Sequence, residues 1–423
     1  MGRLVGFLVN PVAGMGGRVG LHGTDTVARV VEARRRGALP VAPLRAARAL
    51  RRLAENHEAA ATTLLAAPGS MGADVAASSG LRMHVLDVGA GDPTSAADTA
   101  AAAVAASAAG ADLLLFAGGD GTAADIISAV GRSIPVLGIP SGVKMRSGVF
   151  AATPEAAGDL LAEHLAKLAR ISGGGADRSE LLTTAEVVDA VPPGLAHGAR
   201  VHGTGAGAGA PAGGASGEWV AGGRGGAPPW AEVGAMASVL LGIALVPRAG
   251  DGRLVGTKSS RAQLAGPALD ALAQAVATEL DPGSLYLVGP GTTTARVLGS
   301  LGLEGNVMGV DAVAGGELVG TDLGEDEILG LVDAYPRTRL ILGVVGGQGM
   351  LLGRGNQQLG PRVLGRLSPD DVMILSTAEK LVALRPALLR VDAGDEASFP
   401  WLAGYRRVRV GPRRYMMMRV DAA

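Results

Sequence analysis

The 423-residue sequence has no cysteine and few aromatic residues, and each shortage excludes a class of protein. Without cysteine, the chain forms no disulfide, no thiolate nucleophile and no Cys-ligated zinc or iron–sulfur site. Aromatic residues make up 3% of the chain, so its cores must be built from Ala, Val and Leu. An excess of charge is lacking as well. Lys and Arg number 38 against 39 Asp and Glu, which argues against a protein that coats nucleic acid.

Long hydrophobic runs, which would indicate a signal peptide or a membrane span, are also missing. The apolar segment Leu4–Val9 is shorter than a secretory h-region. The most apolar stretches, Thr99–Ala111 and Gly234–Pro247, are too short to cross a bilayer. We therefore expect a cytoplasmic protein with no nucleic-acid or membrane partner. We also expect it to form a homo-oligomer.

The length predicts two or three domains at about 150 residues each. We divide the chain into an N-terminal phosphate-binding α/β domain (1–170), a middle region that contains β structure (171–282) and a C-terminal α/β unit (283–423). Within the middle region, residues 203–228 contain 11 glycines among 26 residues and almost no apolar periodicity. This composition predicts a flexible insert.

Short apolar runs alternate with stretches of helical length along the first 140 residues. The predicted strands are Leu4–Val9, Thr62–Ala66, Met83–Val88, Leu113–Ala117 and Val136–Ile139. The predicted helices are Thr26–Arg36, Pro43–Glu58 and Pro93–Ala109. Such alternation predicts a doubly wound parallel sheet. The first two helices carry arginines without interleaved aromatics, which favours a solvated face over a nucleic-acid patch: Arg34, Arg35, Arg36, Arg45, Arg48, Arg51 and Arg52.

The remaining two thirds of the chain predict a second α/β unit after the middle region. The predicted strands are Thr184–Asp189, Val239–Val246, Leu285–Val288, Val307–Val310, Leu340–Val345 and Val372–Leu375, with a strand or hairpin over Tyr405–Val420. The predicted helices are Gln263–Leu280, Thr294–Leu301, Glu325–Ala334 and Thr377–Arg385. The run Glu325-Asp326-Glu327 fits an acidic first helical turn better than a metal site.

The sharpest motif is Gly118-Gly119-Asp120-Gly121-Thr122, which follows a predicted strand and opens a predicted helix. A glycine loop at a helix start presents backbone N–H groups to phosphate oxygens. A carboxylate in such a loop repels phosphate, so we expect one there only if it accepts a hydroxyl proton or holds Mg²⁺. Asp120 is therefore the candidate catalytic residue. The alternative is a plain strand-to-helix turn in which Asp120 caps the helix.

Two further loops follow neighbouring strands and complete the candidate phosphate site. The first loop contains Asn10, Gly14, Gly16 and Gly17, and the other runs from Gly138 to Lys144. Loops at the carboxyl ends of neighbouring strands share one crevice in an open α/β sheet. We therefore expect these loops to cradle one polyphosphate. Lys144 is either a phosphate contact or a surface lysine.

Taken together, these loops resemble the superfamily that joins NAD kinases with diacylglycerol and sphingosine kinases. Their longer forms resemble the ATP-NAD kinase-like, AcoX-type branch. The resemblance implies phosphoryl transfer from ATP (or polyphosphate) with Mg²⁺, NAD(H) ribose as the acceptor and Asp120 as the general base. It also assigns phosphate-binding positions to Asn10, Gly14, Gly118, Gly119, Gly121 and Thr122. NAD kinases have an Asn-Glu pair where this chain has Ala185-Glu186, and an Asn where it has Pro140.

Downstream polar loops widen the candidate site. Gly291, Thr292 and Thr293 open a helix after a strand, which suits either an anion or a capped helix. Arg354, Asn356 and Gln357 concentrate amides that suit a base or sugar, or else form a polar surface loop. Two other functions stay open beside the NAD kinase prediction. They are a kinase of another small hydroxyl metabolite and a nucleotide-binding sensor without turnover.

Overall fold

A computed structural model describes most of the chain. The described residues are 2–21, 23–24, 26–143, 145–171, 178–191, 237–249, 254, 266–345, 349–353, 355–392, 399 and 401–422. The glycine-rich segment 203–228 and the candidate residues Lys144 and Arg354 lie outside them. No helix in the described ranges is both long and apolar enough to span a membrane.

The N-terminal region forms a five-stranded parallel sheet with the strand order β3-β2-β1-β4-β5. Its strands are β1 (Arg3–Val9), β2 (Thr62–Ala66), β3 (Arg82–Val85), β4 (Leu113–Gly118) and β5 (Val136–Pro140). The helices around it are α1 (Val27–Arg35), α2 (Ala42–Ala54), α3 (Ala73–Ala77), α4 (Ala96–Ala108), α5 (Asp120–Val130) and α6 (Pro154–Ile171).

Apolar side chains of β4 point alternately to the two faces of this sheet, and each face carries its own core. Leu113 and Leu115 pack in the cluster that includes α2, α3 and α6, whereas Leu114 and Phe116 pack in the cluster that includes α4 and α5. Strands that are buried on both faces read as hydrophobic runs, which is why β1, β2, β4 and β5 are visible in the sequence, whereas β3 is mostly exposed. The predicted doubly wound parallel sheet is confirmed.

The middle region contributes an antiparallel pair of strands, β6 (Leu182–Val191) and β7 (Ala237–Pro247). Both predicted strands of this region lie within these bounds. Val187 of β6 and Ala244 of β7 join the apolar cluster around α5. The pair therefore packs against the helix that begins at Asp120.

The C-terminal region is built on a nine-stranded mixed sheet with the order β10-β9-β8-β11-β13-β15-β16-β14-β12. Its strands are β8 (Leu285–Val288), β9 (Asp311–Ala314), β10 (Glu317–Gly320), β11 (Thr338–Gly343), β12 (Met350–Leu352), β13 (Val372–Leu375), β14 (Leu388–Val391), β15 (Gly404–Arg409) and β16 (Tyr415–Ala422). Its helices are α7 (Pro267–Thr278), α8 (Thr292–Ser300), α9 (Glu325–Ala334), α10 (Pro361–Leu364) and α11 (Ala378–Val382).

One predicted strand of this region, Val307–Val310, is wrong. These residues form a turn, and strand β9 begins at Asp311, the residue after Val310. Strands β9 and β10 form a hairpin through Gly315 and Gly316, whose φ angles are 60° and 82°. Such angles favour glycine at both positions of a tight hairpin turn, so the Gly-Gly pair is the signal that fixes this register. By contrast, β8, β13 and α9 have the predicted bounds.

Two of the arginines predicted on a solvated face are turned inward. Arg45 is buried and donates to the Pro140 carbonyl and to the carboxylate of Asp392. Arg48 pairs with Glu155 at 2.6 Å between Nε and Oε1. The periodic spacing of charged residues predicts the helix. It does not predict which acidic residues of distant elements pack against that helix. The prediction of a solvated face is therefore wrong for Arg45 and Arg48.

Candidate functional site

The candidate site lies at the carboxyl edge of the N-terminal sheet, between the neighbouring strands β1 and β4. From β1 the chain adds β2 and β3 on one side, while β5 is added beside β4 on the other. Ligands of open α/β sheets bind at such a switch point, outside the carboxyl ends of the strands. Asn10 follows β1 and Asp120 follows β4, so the topology brings the first two predicted loops to this place.

Asn10 joins the first loop to the helix that follows β4. Its Nδ2 donates to the Thr122 hydroxyl at 3.0 Å, and its Oδ1 accepts the Val12 N–H at 3.2 Å. Its own backbone N–H donates to the Ala117 carbonyl at 2.9 Å. The side chain therefore fixes the first loop against α5 and leaves the loop backbone to line the crevice.

The first loop also touches the loop after β5, through Gly14. This residue has a φ of 80°, and an added Cβ would clash with the Ser141 carbonyl oxygen. Both the backbone angle and the close contact favour glycine at this position. At Gly16 an added Cβ would lie 2.8 Å from the Leu21 carbonyl oxygen, so that glycine serves the packing of its own loop.

The glycines of the Gly118–Thr122 motif have different roles. A Cβ at Gly118 would lie 2.5 Å from the Thr122 Cβ, and one at Gly119 would lie 3.2 Å from the Gly142 Cα. Gly118 thus makes room for Thr122 within the motif, and Gly119 lets the motif approach the loop after β5. The bonds from the Ser141 and Gly142 N–H groups to the Gly118 carbonyl join the same two loops. Gly121 is exposed and has open space where its Cβ would be. Gly121 is therefore where a ligand has access to the backbone.

The start of α5 has the features of an anion site. Gly119 is its N-cap residue, and no side chain caps the helix. The first N–H groups of a helix have no intrahelical acceptor, and the helix dipole gives this end a partial positive charge. Because Asp120 is the first helical residue and not the cap, the alternative interpretation of the motif as an Asp-capped turn does not hold.

Asp120 is buried, with 8% of its surface exposed, and its carboxylate fixes the third loop, which follows β5 and continues to Ser147. One oxygen accepts the Arg146 N–H at 2.7 Å and the other accepts the Ser147 N–H at 3.0 Å. The Asp120 carboxylate at the start of α5 is therefore fixed in position by two backbone donors.

Ser147 links the Asp120 carboxylate to strand β6 of the middle region. Its hydroxyl donates to the Val188 carbonyl at 3.2 Å and accepts the Val188 N–H at 3.1 Å. The Gly148 N–H donates to the Glu186 carbonyl at 2.9 Å. Glu186 has an exposed side chain on β6. A short path thus runs from Asp120 to the segment where an acceptor is expected.

The C-terminal region reaches the same loops through Gln357. Its Nε2 donates to the Gly142 carbonyl at 3.5 Å. Its side chain also packs against Gly17, because a Cβ added to Gly17 would lie 3.0 Å from the Gln357 Cδ. The Glu325 N–H donates to the Arg18 carbonyl at 2.9 Å. Burial raises the pKa of the Glu325 carboxyl, while the positive charge of Arg18 acts in the opposite direction. The first loop is thus enclosed by both regions of the chain.

Asn356, predicted to contact a base or sugar, serves its own loop. It is buried, its Oδ1 accepts the Gly353 N–H at 2.8 Å, and its Nδ2 donates to the Leu351 carbonyl at 3.0 Å. These bonds define the turn after β12, from which Gln357 projects toward the first loop. The structure therefore places Gln357, and not Asn356, nearest to the phosphate loops.

The turn that opens α8 stands apart from these contacts. Its N-cap is Gly291, with a φ of 135° and no side-chain cap. Thr292 is exposed, Thr293 is buried, and the Thr294 hydroxyl donates to the Gly291 carbonyl at 3.0 Å. No hydrogen bond links this turn to the three loops within the described ranges. The structure thus supports an open helix start here but does not join it to Asp120.

Residues outside the glycine motifs complete the site, and sequence reasoning missed them as functional positions. Arg146 and Ser147 hold Asp120 through backbone N–H groups, and a backbone contact leaves no residue-type signal. Arg45 fixes the Pro140 carbonyl from α2. No group of three or more His, Asp or Glu side chains could hold a metal in the described part of the chain.

Comparison with known families gives two matches. The family model of the ATP-NAD kinase N-terminal domain matches residues 5–169, and that of the ATP-NAD kinase C-terminal domain matches residues 283–420. Together they cover more than half of the chain and include all three phosphate loops and Gln357. The resemblance to NAD kinases is confirmed, whereas the AcoX-type branch stays a prediction. Neither curated proteins nor solved structures gave a match.

Proposed function

Because this chain belongs to the ATP-NAD kinase family and is a kinase by that membership, we propose that it transfers the γ-phosphoryl group of ATP to an acceptor hydroxyl beside Asp120. The single observation that carries the proposal is the start of α5. There an uncapped helix end, open space at Gly121 and a buried carboxylate occupy one place. Backbone donors of this kind suit phosphate oxygens. A carboxylate among them suits an acceptor proton.

Donor binding rests on the backbone of the three loops. The α5 N-terminus would hold phosphate oxygens, and the loop with Gly14, Gly16 and Gly17 would cover them. Polyphosphate is a second candidate donor, since the same N–H groups would bind its oxygens. Mg²⁺ commonly enters such sites on the phosphates together with one or two carboxylates, and the Asp120 carboxylate would be the one to hold it here. When bound, Mg²⁺ would neutralise charge on the transferring group.

Asp120 is proposed to orient the acceptor hydroxyl and to take its proton as the new O–P bond forms. Catalysis of phosphoryl transfer depends mainly on positioning and on stabilising charge, with a carboxylate accepting the hydroxyl proton. The two backbone bonds fix the carboxylate plane, so that Asp120 is a positioned base for the acceptor proton.

The proposed acceptor is the ribose of NAD(H), as in the family name. The hydrogen-bonded path from Asp120 through Ser147 to Val188 supports an acceptor on the β6 side of the crevice, within reach of Glu186. Another small hydroxyl metabolite is the alternative acceptor, because this chain has Ala185 where NAD kinases have the Asn of their Asn-Glu pair.

A second candidate function is a nucleotide-binding sensor. It is favoured by one specific observation: both oxygens of Asp120 are already used to hold the third loop. A carboxylate retained for loop structure would persist without any turnover. Phosphate binding at α5 would then be the whole function of the site.

The test incubates the full chain with Mg-ATP or with polyphosphate against NAD, NADH and a panel of hydroxyl metabolites. We expect phosphorylated product with NAD or NADH, and its loss in Asp120→Asn. Product with a different hydroxyl would keep the kinase and change its acceptor. Saturable ATP binding with no product from any acceptor would replace the kinase proposal by the sensor.

A further inference from the structure

A second cavity lies at the opposite edge of the N-terminal sheet from the proposed kinase site. Its volume is about 270 Å³, and it is bordered by Asp112, just before β4, and by the α5–β5 connection with Arg132 and Ser133. His164 of α6 and Arg178 complete its polar lining. Since the Asp120 loop follows the carboxyl end of β4, the length of that strand separates the two places.

The charges around this cavity leave an excess of positive groups. Among the described lining residues the one carboxylate is that of Asp112, and its Oδ2 accepts the Leu4 N–H at 3.2 Å. Its Oδ1 lies 3.6 Å from Arg3 Nη1 and 3.5 Å from Arg178 Nη1. One acid is therefore shared by two guanidinium groups, while Arg132 is exposed at the rim with no ion pair in the described ranges.

His164 is the most informative group of the lining. Only 4% of its surface is exposed, yet it borders the cavity and makes no hydrogen bond within the described part of the chain. A buried polar side chain usually has a hydrogen-bond partner, and the cavity is where His164 could find one. Burial lowers the pKa of His164 to about 4, so the neutral imidazole has one donor and one acceptor to offer.

We propose that this cavity binds a compact dianion, held between Arg132 and Arg178 and contacted by His164. Guanidinium groups bind both phosphate and carboxylate oxygens through paired N–H donors, so a phosphomonoester and a dicarboxylate share the required chemistry. Arg178 is 62% exposed and keeps donors beyond its contact with Asp112. The volume suits a metabolite of few atoms and is below the usual range of roughly 300–1,000 Å³ for drug-sized ligands.

Isothermal titration of the full chain tests the proposal with four probes. Inorganic phosphate and glycerol 3-phosphate represent the phosphate source, and malonate and succinate represent the dicarboxylate source. We expect saturable binding of at least one pair. Arg132→Gln and Arg178→Gln should each raise its Kd by roughly tenfold or more, the effect of losing a charge-assisted hydrogen bond. His164→Gln should weaken binding less, because the amide keeps a donor and an acceptor.

Two controls separate this site from the kinase site. Arg51→Gln removes an exposed arginine of α2 that does not line the cavity, and it should leave the Kd unchanged. Asp120→Asn should also leave it unchanged. Thermal unfolding shows whether each variant is folded. Binding that responds to Asp120→Asn and not to the two arginine variants, binding equal in all variants, or no saturation with any probe would overturn the proposal.

Discussion

Asp120 is held by two backbone donors, and this geometry decides what its replacement by Asn will do. The carboxamide keeps the shape but turns an NH₂ donor toward the Arg146 or the Ser147 N–H, so one hydrogen bond is lost. We expect turnover to fall by roughly 10²–10⁴-fold, the usual scale for a lost general base. We also expect the free energy of unfolding to fall by about 1–3 kcal/mol, the cost of an unmet buried donor. Product formation and chemical denaturation measure the two effects.

Ser147→Ala is the matched control for that experiment. It leaves the Ser147 N–H on Asp120 but removes the hydroxyl that pairs with Val188, so it perturbs the same loop without touching the base. Its loss of stability should be similar, and its loss of turnover much smaller. Equal losses of turnover in the two variants would show that Asp120 acts by positioning the loop and not by accepting a proton.

His164 predicts how stability depends on pH. Burial lowers its pKa to about 4 from the ordinary 6.5, so between these values the unfolded chain binds a proton that the folded chain does not. Stability is therefore lost as pH falls through this window, by about 2 kcal/mol at pH 5 from this group alone. His164→Gln removes the titration, so the unfolding free energies of variant and parent should converge on acidification. Parallel stability curves between pH 7.5 and pH 5 would contradict the assignment.

At the scale of elements, a strand is predicted more accurately from the sequence when it is buried on both faces. Strands β1, β4 and β5 of the N-terminal sheet are buried and appear as apolar runs, so their positions are predictable. The edge strand β3 is mostly exposed and spans Arg82–Val85 where the sequence predicts Met83–Val88. Strand β9 is different, because it begins with the buried carboxylate Asp311, which accepts the Asn306 and Asp322 N–H groups. Burial raises the pKa of Asp311 to about 6. An acid at a strand start breaks the apolar pattern, and the predicted strand Val307–Val310 therefore falls on the preceding turn.

The glycine-rich segment supplies a prediction for the β6–β7 pair. Ten residue pairs hold the two strands together, from Leu182–Pro247 to Val191–Ala237. Deleting Gly205–Gly226 shortens the connection but removes none of these pairs. Loop length affects closure entropy by only about 0.6 kcal/mol per doubling, so the free energy of unfolding should change by less than about 1 kcal/mol. Urea denaturation measures this change. A loss of several kcal/mol would mean that the segment is packed against the rest of the chain.

At the scale of the whole molecule, the sequence predicts what is local and misses what joins distant segments. The Gly118–Thr122 motif and the first loop can be predicted from the sequence because each is a continuous glycine pattern after a strand. The contact of Gln357 with Gly142 links residues 215 positions apart, and that of Arg45 with Asp392 links residues 347 positions apart. Such pairs leave no spacing or periodicity in one sequence, so the enclosure of the first loop by the C-terminal region is visible only in the structure.

The buried pair of Arg45 and Asp392 is the contact that ties the two regions together beside the site. Both residues are more than nine-tenths buried, and Arg45 also holds the Pro140 carbonyl at the start of the third loop. Removing one member of a buried pair leaves an uncompensated charge, which costs about 3–5 kcal/mol. Arg45→Met should fall at the low end of that range, because Arg48 lies 3.5 Å from the Asp392 carboxylate.

A double-mutant cycle distinguishes the pair from mere packing on α2. Asp392→Leu alone should also destabilise the protein, whereas Arg45→Met combined with Asp392→Leu should cost less than the sum of the two, since apolar replacement of both partners is often near neutral. Arg52→Met is the control on the same helix; its exposed pair with Asp159 should contribute about 0–1 kcal/mol. Because Arg45 fixes the third loop, Arg45→Met should lower turnover even under conditions where it is fully folded. Additive losses of stability, together with unchanged turnover, would show that the pair joins the two regions without shaping the site.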